Sequence, residues 1–292
     1  MAGIRVNRDN SEIIAYNEPG IPVYIQEGHL SDVTNYHFLC HWHEDMEFIY
    51  IADGGMDYFV NGKSIPLKTG EMILVNSGRL HYGYSDHRQD CRYYCVVLHP
   101  SLITANKKLH ERYIAPVTNN REPDYFLFSE NDEITQLLLK IYLAKTDSSP
   151  SFELDVISLF QALWIQLYRR LLPSFQATEE PSDADLLSQR QMVSYIYQNY
   201  SAAITLEDIA ASGKVCRSKC CQIFKKYMGQ SPMDFVNSYR LECSQQLLER
   251  TSLSITDICL ACGFNHQSYF TKQFRQKYQC TPKEYRKTAK TI

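Results

Sequence analysis

The sequence predicts an α+β chain of two domains: an N-terminal β-barrel followed by helices, then a C-terminal all-α domain with two helix-turn-helix units. Three observations predict it. Short alternating apolar segments recur about every ten residues from Ile21 to His99, the apolar period switches to helical spacing near residue 130, and one pattern beyond residue 188 occurs twice.

The alternating segments are PVYI, EFIYI, MDYFV, KSIPL, EMILV and RYYCVVL, parted by Gly54-Gly55, Asn61-Gly62 and Ser77-Gly78. Asn-Gly supplies the positive φ angles of a tight hairpin, so antiparallel strands closing into a sandwich or barrel are expected, with turns at all three dipeptides. From 130 to 172, Ile134, Leu137, Leu138 and Ile141, then Leu154, Ile157, Phe160, Leu163, Trp164 and Leu167, fall at helical spacing. Two amphipathic helices are expected there, interrupted near Thr146 to Pro150. Their apolar stripes must be buried, on the barrel or against a second subunit. Residues 173–187, with small polar residues, acids and two prolines in or beside them, read as an interdomain linker.

The chain of 292 residues is 44% hydrophobic and 22% charged, which suits two globular domains and excludes global disorder. No apolar run approaches the roughly 18 residues of a membrane span, and MAGIRVNRDNSE has no signal-peptide core, so a cytoplasmic protein is expected. Ten cysteines are therefore expected as reduced thiols, most of them small buried apolar residues. The net charge of −3 conceals an asymmetry. Residues 186–292 hold 15 Lys and Arg against 7 Asp and Glu, while the rest of the chain holds 15 against 26. A basic third beside an acidic body implies a polyanion as partner of one end only.

The repeat sits in that basic third. Thr205-Leu-Glu-Asp208-Ile209-Ala210 answers to Ser254-Ile-Thr-Asp257-Ile258-Cys259, Ile223-Phe224-Lys225 to Gln273-Phe274-Arg275, and Ser231-Pro232 to Thr281-Pro282. Each copy opens with an S/T-x-x-D capping box on a short helix, ending near Gly213 and Gly263, and continues into a second helix at 217–228 and 266–278. Placing Cys220, Ile223, Phe224 and Tyr227 inward leaves Arg217, Ser218, Cys221, Gln222 and Lys225 outward. In the second copy Phe270, Phe274 and Tyr278 turn in, and Gln267, Ser268, Thr271, Lys272 and Arg275 turn out. Gln, Ser, Thr and Lys suit base edges, and Arg and Lys suit phosphates, so these ten residues are the expected DNA contacts. Ser231-Pro232 starts a helix through Phe235, Tyr239, Leu241, Leu247 and Leu248 to Arg250, which would hold the two readers at the roughly 34 Å spacing of successive major grooves. Cys216, Cys220, Cys221, Cys259 and Cys262 raise the question of a zinc or redox site. Cys220 and Cys259 take core positions, and packing is the expected role.

The segments FKKYMGQSPMDFVNSYRLECSQQLL and SITDICLACGFNHQSYFTKQFRQKYQCTPKEYR resemble the AraC/XylS family of transcriptional regulators over the C-terminal hundred residues. The resemblance implies base recognition by Ser218, Cys221 and Gln222 in the first unit and by Gln267, Ser268 and Lys272 in the second. It also implies binding near promoters and contact with RNA polymerase. One departure is Cys280, where the family usually has Gly ahead of the Thr-Pro step, which implies a differently formed turn.

The stretch HWHEDME carries His41-x-His43-x3-Glu47-x6-Gly54, followed by Gly70-x5-Asn76-x-Gly78-x2-His81. This spacing resembles the two motifs of the cupin barrel, with Asn76 in place of the usual proline. In metal-binding cupins those positions supply three imidazoles and a carboxylate to one ion, here His41, His43, Glu47 and His81. In AraC-family sensors a similar strand lines an effector pocket without needing metal, which implies a pocket of His41, Trp42, His43, Glu47, His81 and Tyr82.

The expectation is then a non-enzymatic, ligand-responsive, sequence-specific DNA-binding regulator, an activator of carbohydrate-related genes. A cupin-like effector-sensing barrel spans 1–129, a helical dimerisation segment 130–172, the linker 173–187 and the double helix-turn-helix domain 188–292. Expected partners are promoter DNA, a small effector such as a sugar, RNA polymerase and a second copy of the chain; no cofactor is required. Two alternatives remain open: a cupin metalloenzyme with a DNA-binding appendage, and a regulator that senses a divalent transition metal or an oxidant.

Overall fold

The computed structural model describes residues 11, 12, 14–17, 21–118, 123–147, 149–175 and 184–289, which fall into two compact units divided at residue 184. The expected linker lies mostly on 176–183, outside the described residues; its flanks are helical.

The first unit is organised by one long strand. After β1 (Val23–His29) the chain reaches β2 (Met46–Val60), β3 (Lys63–Lys68), β4 (Glu71–Val75), β5 (His81–Tyr84) and β6 (Cys91–Leu98). Two short helices, α1 (Lys107–Leu109) and α2 (Ala115–Thr118), flank a π turn before β7 (Tyr125–Ser129), and α3 (Glu133–Thr146) and α4 (Phe152–Phe175) complete the unit. The sheet runs β1-β6-β2-β4-β7, all antiparallel, while β3 and β5 pair with the far half of β2.

Asn61 and Gly62, both at positive φ (42° and 89°), make the hairpin between β2 and β3, a conformation that asparagine tolerates and glycine, lacking a Cβ, permits. Gly54-Gly55 does not form the expected turn. EFIYI and MDYFV are one strand that leaves its partners β4 and β6 and takes up β3 and β5, with a register shift between Ile51 and Asp53. A strand changing sheets must bend while another backbone passes close by. Gly54 has φ 78°, and a Cβ there would lie 2.5 Å from the Asp90 carbonyl oxygen, so glycine serves a corner rather than a turn. The strands β5 and β7 were not anticipated.

The period of two along β2 sorts its side chains. Met46, Phe48 and Tyr50 join the layer that α3 and α4 cover, with Ile134, Leu138, Phe160, Leu163, Trp164 and Leu167 all buried in it. Glu47, Ile49 and Ile51 point the other way; the two isoleucines pack with Met56, Tyr58, Val60, Ile65, Leu67, Ile73, Val75 and Tyr93 inside the barrel. Each fully buried Leu, Ile or Phe contributes about 1.5–3 kcal/mol. Most of both apolar stripes is thus covered within the unit, but Leu154, which the spacing places in the stripe of α4, is exposed. Arg170 of α4 closes on Asp132, the N-cap of α3, at 2.8 and 3.2 Å.

In the second unit, α5 (Ala184–Asn199) packs with α6 (Leu206–Ser212) and α7 (Arg217–Met228), and α8 (Pro232–Arg250) leads to α9 (Ile255–Ala261), α10 (Gln267–Tyr278) and α11 (Pro282–Ala289). Both capping boxes form, Thr205 with Asp208 and Ser254 with Asp257. Cys259 and Cys262 lie buried among Leu241, Leu248, Phe264, Phe270 and Phe274. The turn after α10 corrects one expectation: its left-handed residue is Gln279 (φ 58°), matching Gly229 (φ 66°) after α7, so the departure falls on Gln279 and Cys280 follows in an ordinary place.

Candidate functional site

Two sets of residues are brought together, one in each unit. In the barrel, His41 and His81 form an antiparallel bridge, His81 N donating to His41 O at 2.9 Å, and Gly78 N donates to His43 O at 2.7 Å. Glu47 enters from β2. One ligating atom from each of these four buried residues lies within 4.8 Å of the others.

Each imidazole is held by its other nitrogen. Nδ1 of His41, His43 and His81 meets the carbonyl oxygens of Leu39 (2.8 Å), Asp45 (3.1 Å) and Arg79 (2.7 Å). A carbonyl only accepts, so each Nδ1 carries hydrogen and each Nε2 faces the shared interior. There His43 Nε2 lies 3.3 Å from Glu47 Oε2 and His81 Nε2 lies 3.5 Å from Glu47 Oε1. The second contact is not aligned as a hydrogen bond, and His81 Nε2 is a buried atom without one. Tyr58 donates its hydroxyl to Glu47 Oε1.

Burial pushes the His41 imidazole down to about 3, helped by His81. Burial pushes His43 the same way, but the hydrogen bond and charge of Glu47 outweigh it and its pKa rises. Burial would raise Glu47, yet His81 and His43 hold its carboxyl well below the usual range. The interior therefore favours the carboxylate form of Glu47, and the charged form of His43 beside it.

Glu12 was not legible in the motifs. Its backbone N–H donates to Trp42 O at 2.8 Å, and its carboxylate lies 3.4 Å from His41 Nε2 and 4.0 Å from His43 Nε2. Burial and the neighbouring Glu47 push its carboxyl up to about 7.

Trp42 and Tyr82 do not join the four. Alternate residues of an extended chain face opposite sides, so each turns away from its flanking histidines. Trp42 is half-buried, and Tyr82 stacks on His37 and Phe59 with ring centroids 4.8 Å apart in each pair. Tyr50, too, lies outside the barrel, stacked on Tyr94.

In the second unit, α7 and α10 bury Cys220, Ile223, Phe224, Tyr227 and Phe270, Phe274. Arg217, Ser218, Cys221, Gln222 and Lys225 of α7 are exposed, as are Gln267, Ser268, Lys272 and Arg275 of α10; Thr271 is half-buried. Arg217 pairs with Glu207 at 2.6 Å, and Gln267 accepts from Thr256 at 2.9 Å. Arg240 on α8 is a second residue the sequence did not single out. Buried within this second compact unit, it donates to Tyr200 O (2.7 Å) and Ala202 O (2.8 Å) and lies over the Phe264 ring. It ties the loop between α5 and α6 to the cluster around α9 and α10 that contains Phe264. Among the described residues, no helix is long and apolar enough to cross a membrane.

Comparisons with known proteins cover both units. Residues 24–164 match the AraC-like ligand binding domain, and residues 209–288 match a helix-turn-helix domain. The chain is 27% identical to the uncharacterized HTH-type transcriptional regulator YdeC of Bacillus subtilis, over 98% of this chain and 99% of that one. It is 25% identical to the HTH-type transcriptional activator RhaR of Mannheimia succiniciproducens, over 85% and 87% of the two chains. With the lactose operon transcription activator of Staphylococcus xylosus it shares 29% identity over 52% and 53%.

Proposed function

Since the chain belongs to the AraC/XylS family of ligand-responsive, DNA-binding transcriptional regulators, we propose that it is an activator that reads promoter DNA with the outward faces of α7 and α10 and responds to a carbohydrate-related effector held in the barrel. The observation that carries the DNA reading is the pair of exposed polar helix faces. Ser218, Cys221 and Gln222 are presented by one helix and Gln267, Ser268 and Lys272 by its counterpart, on a unit with excess positive charge.

The relatives' names support the finer parts: one activates a lactose operon and another is named an activator. For the effector, His41, His43, Glu47 and His81 supply acceptors and donors on an otherwise apolar interior, the pattern of a pocket for a small polar molecule. In this reading the effector changes the balance between two arrangements of the DNA-binding units, for which it must bind them with different affinity. Homodimerisation through residues 130–172, contact with RNA polymerase and a cytoplasmic location complete the proposal. Leu143, Leu154 and Ile165, exposed on α3 and α4, support the dimer surface.

Selection of bound fragments from a random duplex library, with and without mono- and disaccharides, tests the proposal. An enriched asymmetric motif whose affinity changes with one sugar supports it. No enriched motif would remove the DNA reading, and a motif indifferent to every sugar would remove the carbohydrate.

A further inference from the structure

The first residue of α7 and the first residue of α10 are each held by a side chain from the helix before. Thr205-Leu-Glu-Asp208 answers to Ser254-Ile-Thr-Asp257, so Glu207 and Thr256 occupy equivalent places in the two copies, and Arg217 and Gln267 each open the helix that follows. Glu207 Oε1 accepts from Arg217 Nη1 at 2.6 Å, and the Thr256 hydroxyl donates to Gln267 Oε1 at 2.9 Å. Both holding residues stand in the first turn of their helix, beside the aspartate of the capping box. The boxes thus fix the backbone from which Glu207 and Thr256 reach. All four side chains are exposed, on the side of the fold that offers Ser218, Gln222, Ser268 and Lys272.

The two contacts use up different capacities. Arginine has donors to spare, and pairing with Glu207 leaves most of them open. Glutamine has one oxygen and one NH2 group, and it reads adenine with both at once, the oxygen accepting from N6 and the nitrogen donating to N7. With Oε1 drawn towards Thr256, the Gln267 amide leads with its nitrogen and offers donors. The matching base edge carries acceptors side by side, N7 and O6 of guanine, whereas adenine sets the N6 donor against them. Water matches either amide orientation equally well. Inside a groove that excludes water a donor facing a donor is costly, so the Thr256 hydroxyl decides which base is accepted.

We propose that Thr256 is a positioning residue that holds the Gln267 amide with its NH2 group outward and thereby selects guanine over adenine at one base pair read by α10. This rests on the DNA reading proposed above, which left the base opposite Gln267 open. Thr256 acts through Gln267 and needs no contact of its own with the duplex.

The test uses the full chain. Duplex selection with wild type and Gln267→Ala locates the base pair, since the position whose preference disappears in Gln267→Ala is the one that Gln267 reads. In the wild type that position should be guanine. Competition between duplexes differing only there should favour guanine over adenine at least about 5-fold, and 7-deazaguanine, which lacks the N7 acceptor, should lose a similar factor. Thr256→Val keeps the shape and removes the hydroxyl; it should bring the guanine-to-adenine ratio to parity or reverse it, at unchanged affinity for unrelated duplex. Thr256→Ser should restore the wild-type ratio. Adenine at that position in the wild type overturns the inference and needs no Thr256 variant to fold. A wild-type ratio in Thr256→Val overturns it too, as does a Gln267→Ala that loses affinity with no change of preference at any position. All three outcomes leave the DNA reading standing. A wild type that enriches no motif overturns the DNA reading, and this inference with it.

Discussion

Gly229 and Gln279 stand in the same left-handed backbone conformation, at φ 66° and 58°, closing α7 and α10. The two units thus end their second helices alike, although only one copy has the residue that conformation favours. An L side chain in this region costs roughly 1 kcal/mol, and the Gln279 side chain recovers part of it by donating to Gln276 O at 3.0 Å. Gln279→Gly is expected to stabilise the C-terminal helical domain by about 0.5–1 kcal/mol, and Gly229→Ala to destabilise it by about 1 kcal/mol. No heavy atom lies within 4 Å of a Cβ built at Gly229, so strain alone is measured there. Urea denaturation of each variant checks both signs, and a destabilised Gln279→Gly would show that the glutamine's hydrogen bond outweighs its strain.

Arg240 is expected to be worth more than any residue on the exposed faces of α7 and α10. Its guanidinium satisfies two carbonyl oxygens, Tyr200 O and Ala202 O, and burial lowers its pKa without removing its charge at neutral pH. Hydrogen bonds from charged groups contribute about 1.5–3 kcal/mol, and Arg240→Ala strands both acceptors. A loss of about 2–4 kcal/mol is expected by denaturant unfolding. Arg240→Lys, a point charge on a longer tether, should recover less than half of it.

Arg240 and Glu12 also mark where the sequence stopped being informative. Both act on partners distant in the chain, Arg240 on Tyr200 and Glu12 on His41, and no spacing rule links such positions. His41 and His43 were legible as a pair because a strand's period of two turns alternate residues to one face, whereas Glu47 and His81 were added by the resemblance to the cupin motifs. The same period should have excluded Trp42 and Tyr82, each adjacent to an inward histidine. The helices of the second unit were legible from caps and from Phe224 and Phe274 in register. Gly54-Gly55 was not, because a glycine pair permits a turn and a strand corner equally, and only the approach of Asp90 O decides between them. Four-residue β5 offers too short a pattern to detect.

Thiol reactivity should separate the cysteines of the two readers sharply. Burial pushes the Cys220 and Cys262 thiols up to about 12, from a reference of 9.0. Raised values favour the protonated thiol in the folded state. Their contribution to stability is therefore complete below about pH 9 and is lost as pH climbs towards 12. At pH 8 neither offers thiolate, and neither is open to reagent. Cys216 and Cys221 are exposed. Maleimide labelling of the native chain is expected at Cys216 and Cys221 within minutes, with Cys220 and Cys262 unmodified until denaturant is added. Mass mapping that found Cys262 labelled early would mean that the second unit opens locally.

If α7 and α10 enter the major groove, Cys221 has a second use as a reporter, since bound duplex should protect it while leaving the barrel thiols unaffected. The substitutions that separate base reading from backbone binding follow from the same placement. Gln222→Ala and Lys272→Ala should each cost about 1–3 kcal/mol on the selected site and little on unrelated duplex, which relaxes preference at one base pair. Arg217, paired with Glu207 at the start of α7, would meet a phosphate in that placement. Arg217→Ala should weaken selected and unrelated duplex alike and reduce the slope of log affinity against log salt by about 1. Anisotropy titrations at three salt concentrations decide the matter. Wild-type site preference in both Gln222→Ala and Lys272→Ala would place these helices outside the groove, and a loss confined to the selected site in Arg217→Ala would make that arginine a base reader.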